Sequence, residues 1–158
     1  MSQTPNIHRW RAFSLLAVAA FMTVMDLTIV NTALPTIGRE LHFSQASLLW
    51  VVTAYGLAYG GFLLLGGRAA DLLGRRRMII AGLAGFTAAS LGASLAGSEA
   101  VLIAMRAAQG LGAAGFLPAA LSTVRNMFTE GAERNKALGI WGGLAALVLP
   151  PGSSSAAC

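Results

Sequence analysis

Long apolar runs separated by short basic segments make up most of this sequence. The first run covers residues 12–34, and Asp26 is the only formal charge in it. Three further runs, residues 43–67, 78–98 and 107–124, hold no formally charged residue. Because a helix needs about 20 residues to cross about 30 Å of hydrocarbon, the pattern predicts four transmembrane helices. The predicted helices cover residues 12–34, 46–66, 78–97 and 100–123. Pro35 is expected to end the first of them.

A fifth apolar run is shorter than the other four. It begins near Ala137 and lasts to Leu149, so as a helix it would rise about 20 Å, too little to cross the bilayer. The sequence therefore predicts an incomplete fifth helix over residues 137–149. The last segment, residues 148–158, changes character abruptly to a run rich in proline and serine, which is typical of a frameshift or a truncation.

Composition supports a membrane protein. The chain is 56% hydrophobic and 11% charged, whereas a soluble domain has about 25% charged residues. The one cysteine, Cys158, excludes an intrachain disulfide. The predicted fold class is an all-α integral membrane protein. Residues 1–11 form its amino terminus and residues 12–147 part of a helical bundle.

The basic residues predict the orientation of the helices. Nine of the eleven Lys and Arg lie in the amino terminus, between the second and third helices, or after the fourth. The opposite loops hold only Arg39. The positive-inside rule therefore predicts a multi-pass protein of the plasma membrane with a cytoplasmic amino terminus. The same segmental clustering argues against nucleic-acid binding, and a cleaved signal peptide is disfavoured by the length of the first run and by Asp26.

The loop GGRAADLLGRRR, residues 66–77, has two interpretations. A phosphate-binding loop would need Gly-Lys-Ser/Thr at its end, and this loop ends in three arginines. A tight turn fits better, because Gly74 can adopt positive φ and arginines contact anionic lipid head groups. Asp71 lies four residues before Arg75, a spacing that predicts an ion pair.

Asp26 and Arg106 are charges within predicted membrane helices. Each costs about 3 kcal/mol on insertion scales, so such residues usually face a partner or a water-filled cavity. At 1.5 Å per residue, both lie about 21 Å above the inner boundary. We therefore expect them to pair or to share a cavity that handles protons, because a carboxylate pKa responds to burial and to a nearby guanidinium. Alternatively, Arg106 extends to the outer interface and Asp26 is a structural acid.

Other polar and small residues complete the set of candidates. Asn31 and Gln109 are expected to line the interior rather than face lipid. Gly110 and Gly112, and the pair Gly56 and Gly60, are expected to allow close helix contact.

Three segments resemble the major facilitator superfamily, specifically its drug:proton antiporter branch with fourteen-span members. GRAADLLGRRR, residues 67–77, resembles the cytoplasmic signature between helices two and three, and departs from it at Ala69 and Leu72. LIAMRAAQGLGAA, residues 102–114, is similar to the fourth-helix signature. MDLTIVNTALP, residues 25–35, is similar to the first-helix pattern of that branch.

The resemblance implies a fold and a function. The family fold is two six-helix bundles built from inverted repeats, of which this chain would be the amino-terminal portion, lacking a carboxy-terminal half. Such proteins export a small molecule, here expected to be apolar or cationic, by alternating access, with the proton gradient as energy source and no cofactor or metal. The resemblance assigns Arg106 to proton coupling, and Asp26 and Asn31 to the cavity. It assigns residues of the segment between helices two and three to a cytoplasmic gate, namely Gly67, Asp71, Gly74, Arg75 and Arg76.

Other functions stay open at this point. A small four-helix exporter acting as a dimer would use Asp26 as its proton site. A truncated product would insert into the membrane without transport activity. An enzyme is disfavoured, because His8 and His42 are the only histidines and the sequence has no nucleophile–base pair or metal-ligand spacing.

Overall fold

The computed structural model describes residues 6–40, 43–128 and 131–146, and these residues form an all-helical structure. Four of its helices are long and apolar enough to cross a membrane, as the sequence predicted. The fifth is shorter, at 15 residues. The helices are α1 (Asn6–Glu40), α2 (Gln45–Leu73), α3 (Arg75–Ser94), α4 (Glu99–Met127) and α5 (Ala132–Ala146).

The helix ends differ from those expected. The expectation that Pro35 ends the first helix is wrong, because Pro35 lies inside α1, which continues to Glu40. Proline removes one backbone donor, a loss that membrane helices tolerate, and Arg39 Nε donates to the Pro35 carbonyl at 3.2 Å. At the other end of the chain, α5 begins before the predicted residue 137. Residues 147–158, which include the unusual tail, lie outside the described residues.

Local sequence explains where two of the helices begin. Ser44 caps α2, and its side chain accepts a hydrogen bond from Ser47 N at 3.1 Å. Gly74 alone separates α2 from α3 and has φ 93°, a backbone conformation that favours glycine. The second and third helices therefore meet in a one-residue turn.

The chain divides into two compact units. The terminal unit comprises Met1–Thr28 and Val124–Cys158, and the central unit comprises Ile29–Thr123. In the terminal unit, Phe13, Val124, Phe128 and Ala137 are buried in one apolar cluster. Trp10 joins it through edge-to-face contacts with Phe13 and Phe128, at centroid distances of 5.6 and 5.1 Å.

The central unit is built around α4, whose small residues let neighbouring backbones approach closely. A Cβ on Gly112 would lie 2.7 Å from Phe86 N of α3, and one on Gly110 would lie 2.5 Å from Tyr55 O of α2. The packing predicted for Gly56 and Gly60 is wrong for the described residues, because a Cβ on either would meet no atom within 4 Å. Both glycines lie on an exposed face of α2.

Candidate functional site

Arg106 lies at the centre of the candidate site, in the interior of the central unit. Its side chain is 1% exposed. Its Nε donates to the Val51 carbonyl of α2 at 3.3 Å, and its Nη1 donates to Gln109 Oε1 at 2.8 Å. The alternative that Arg106 extends to the outer interface is therefore wrong, since the guanidinium is enclosed by protein.

Gln109 continues this network from α4 to α3. It is 2% exposed and lies one turn after Arg106, so both side chains lie on the same face of α4. Its Nε2 donates to Ser90 Oγ at 2.7 Å while its Oε1 accepts from Arg106. A single amide thus connects the buried guanidinium to the third helix.

Two tyrosines of α2 extend the site from the guanidinium. Arg106 Cζ lies 4.7 Å from the ring centroid of Tyr55, within the range of a cation–π contact. Tyr59 stacks on Tyr55 with centroids 6.2 Å apart and an angle of 19° between the rings. Tyr55 is buried and Tyr59 is half-buried, so the stack leads from the enclosed guanidinium towards a more open position.

Three of these partners were not found from the sequence. The Val51 carbonyl belongs to an ordinary apolar residue, so no sequence pattern could indicate it. Ser90 looks like any small polar residue of a membrane helix. Tyr55 stands four residues before Tyr59, and this helical spacing was the available clue to their stacking.

Asp26 and Asn31 both lie on α1, but they belong to different units. Asp26 is half-buried in the terminal unit, whereas Asn31 is exposed and belongs to the central unit. Arg106 also belongs to the central unit. The expected pairing of Asp26 with Arg106 therefore stays a prediction.

The motif between α2 and α3 forms a surface turn. Asp71 Oδ1 and Arg75 Nη2 are 4.0 Å apart, with side chains 72% and 41% exposed. An ion pair so exposed contributes at most about 1 kcal/mol. Gly74 makes the turn, and Arg76 beyond it is exposed.

The close backbone approach in this motif falls on Gly66 rather than on Gly67. A Cβ on Gly66 would overlap the backbone of Ala114, whereas a Cβ on Gly67 would meet no atom within 4 Å. The sequence alone does not indicate which of the two adjacent glycines faces α4, because this depends on the rotation of α2 about its axis.

Comparisons with known proteins agree with this architecture. The sequence model of the Major Facilitator Superfamily matches residues 16–154. The puromycin resistance protein pur8 of Streptomyces alboniger is 46% identical over 140 residues, which cover 89% of this chain and 28% of that protein. The cephamycin export protein CmcT of Amycolatopsis lactamdurans is 47% identical over 129 residues, 82% of this chain and 26% of that protein.

A third relative comes from a different genus. The multidrug resistance protein Stp of Mycobacterium tuberculosis (strain CDC 1551 / Oshkosh) is 39% identical over 143 residues, which cover 89% of this chain and 27% of that protein. The chain thus spans roughly a quarter of the length of the curated relatives it matches.

Proposed function

The chain belongs to the major facilitator superfamily, and on that premise we propose that it forms part of a proton-coupled exporter of small molecules that works by alternating access. Several relatives are named for antibiotic export or resistance, which supports export as the direction of transport. Family membership also removes the basis for a small four-helix dimeric exporter, because such a protein would have a different architecture. The family consists of transporters, and no enzymatic role is proposed.

The buried Arg106 is the observation that carries the proposal. A guanidinium in a membrane helix is expensive to bury, and here Val51, Gln109 and Tyr55 hold it in place. Proton coupling is proposed to use Arg106 as a fixed positive charge and Asp26 as the acid, because intramembrane ionisable residues commonly form proton pathways.

Substrate recognition is proposed to involve the two tyrosines and Asn31. Aromatic rings bind apolar molecules through their faces and also attract organic cations. Tyr59 is the more accessible member of the stack, and Asn31 offers an amide on an exposed face. An apolar or cationic small molecule fits these groups best.

The remaining parts of the proposal concern topology and partners. The basic residues favour a plasma-membrane protein with its amino terminus in the cytoplasm. In that orientation the turn at Gly74 is proposed to lie on the inner side, as part of a gate with Asp71, Arg75 and Arg76. Alternating access requires a second bundle to move against the first. Because the chain spans about a quarter of its relatives' length, we propose that transport needs the rest of such a transporter, with the proton gradient as energy source.

Replacement of Arg106 tests the proposal in a chimera. Residues 16–146 of this chain would replace the matching segment of the puromycin resistance protein, and proton-driven puromycin transport would be measured in inverted vesicles. We expect Arg106→Ala to reduce transport to the level of vesicles without transporter while membrane insertion is retained. Arg125→Ala, an exposed arginine near the end of the same helix, is the control and should retain most of the transport. Full proton-driven transport by the Arg106 variant would refute the proposal.

A further inference from the structure

An apolar groove runs along the surface of the terminal unit. Its volume is about 450 Å³, and its walls include Trp10, Phe13, Ala17, Val18 and Phe21 of α1 and Ile140 of α5. The α1 residues recur at helical spacing and therefore form one continuous stripe. Ser14 also lines the groove, but its hydroxyl donates to the Trp10 carbonyl at 2.9 Å, so its polar group is satisfied within α1.

The length of the groove matches one leaflet of a bilayer. Trp10 and Phe21 are eleven residues apart in a continuous helix, which corresponds to about 16 Å. Half of a hydrocarbon core of about 30 Å is about 15 Å. A single acyl chain that enters from the membrane surface would therefore extend along the whole stripe.

Positive charge is concentrated at one end of the groove. Lys136 Nζ lies 5.9 Å from the ring centroid of Trp10, the first wall residue, and Lys136 precedes Ile140 by one turn of α5. Arg9 and Arg11 flank Trp10 in the sequence. The acid on α5 near this end is Glu133, in its first turn, so basic residues outnumber acidic ones among the described residues of α1 and α5 here. Beyond Trp10 the wall residues are apolar apart from Ser14.

We propose that this groove binds an anionic phospholipid, with one acyl chain along the α1 stripe and the phosphate at Lys136. A basic residue beside an apolar groove one leaflet long matches the charge and shape of such a lipid, and anionic head groups attract basic segments near the surface. A second helix seated in the groove would explain the apolar wall but not the cation at one end. This site is separate from the proposed transport function and does not depend on it.

The fluorescence of Trp10 reports occupancy of the groove. The full chain, with Trp50→Phe and Trp141→Phe to leave Trp10 as its one tryptophan, would be placed in nanodiscs of mixed phosphatidylglycerol and phosphatidylcholine. Bromine would be carried on the acyl chains of one lipid at a time. We expect brominated phosphatidylglycerol to quench Trp10 more strongly than brominated phosphatidylcholine at equal mole fraction. Equal quenching by both lipids, or none by either because another segment fills the groove, would overturn the proposal.

Two pairs of variants test the two halves of the site. Lys136→Gln should reduce the preference for phosphatidylglycerol about fivefold, whereas the matched charge change Arg77→Gln, in the central unit, should leave it unaltered. If both changes reduce it equally, the preference reflects the net positive charge of the chain and the site is refuted.

Ile140→Phe should lower quenching by either lipid because it fills the groove, whereas Ile80→Phe, at an exposed position of α3, should not. If Ile140→Phe fails to fold by circular dichroism, the Lys136 pair decides the question.

Discussion

Arg106 and Gln109 depend on each other because both are buried among apolar helices. The amide of Gln109 accepts from the guanidinium and donates to Ser90, so it satisfies polar groups on two helices at once. A buried donor left without its acceptor destabilises the folded state, because an apolar side chain in place of the acceptor cannot accept a hydrogen bond. A neutral side chain one turn away therefore helps to hold the guanidinium, together with the Val51 carbonyl and the Tyr55 ring.

Gln109→Leu should destabilise the chain by about 1.5 kcal/mol. The leucine fills similar space but leaves the Arg106 Nη1 and Ser90 bonds unmade. Thr87→Ala is the control, because Thr87 is exposed on α3 and donates to Leu83 O within its own helix. It should change stability by less than about 0.5 kcal/mol. Unfolding in mixed micelles with increasing SDS, followed by circular dichroism, measures both, and equal effects would contradict the bridging role of Gln109.

At the scale of helices, glycine determines how closely α3 and α4 approach. Gly112 of α4 lies against Gly82 and Phe86 of α3, with backbone rather than flexible side chains as the nearest atoms. Membrane helices gain little from the hydrophobic effect and associate through close packing of small residues. The amino-terminal ends of α2 and α4 are joined by Glu99, which accepts hydrogen bonds from Ser44 N, at 3.1 Å, and from the Ser47 hydroxyl.

Gly112→Ala should destabilise the chain by about 1–3 kcal/mol, because its methyl would lie 2.7 Å from Phe86 N and the helices would have to separate. Gly85→Ala provides the comparison on α3, since a Cβ there meets no atom within 4 Å. It should be neutral or slightly stabilising, as alanine is the better helix former. The same SDS titration distinguishes them. A Gly112 variant as stable as the Gly85 variant would show that the helices are not in close contact.

At the scale of the whole molecule, charge distribution predicts how the helices are threaded through the membrane. Leu72, near the end of α2, and Ser98, between α3 and α4, are both exposed and lie at opposite ends of α3. Three consecutive arginines follow the first position, whereas the connection around the second has no basic residue. The positive-inside rule predicts that Leu72 is cytoplasmic and Ser98 external.

Cysteine labelling in intact cells checks this orientation. In a Cys158→Ser background, which removes the one native cysteine, Ser98→Cys should react with a membrane-impermeant maleimide. Leu72→Cys should react only after the cells are permeabilised. The reverse pattern would mean that the amino terminus is outside.

The sequence by itself determined the helical, membrane-spanning class, the number of long helices and the turn at Gly74. These features follow from apolar run length and from the backbone freedom of glycine, which are local properties of the chain. Arg106 and Gln109 were also identifiable from the sequence, because a charge and an amide within an apolar helix usually face its interior. The positions of the helix ends were predicted less well from the sequence. α1 continues through Pro35, and α2 extends seven residues beyond the predicted residue 66, as far as Leu73.

Only the tertiary structure decided which residues surround Arg106 and which glycines pack. The Val51 carbonyl, Ser90 and Tyr55 come from two other helices, and their meeting depends on how each helix is rotated about its axis. The same rotation makes Gly66 rather than Gly67 the point of contact and leaves Gly56 and Gly60 exposed. Sequence determines the length and polarity of a helix locally, whereas the direction of each face is set by packing among helices distant in the chain.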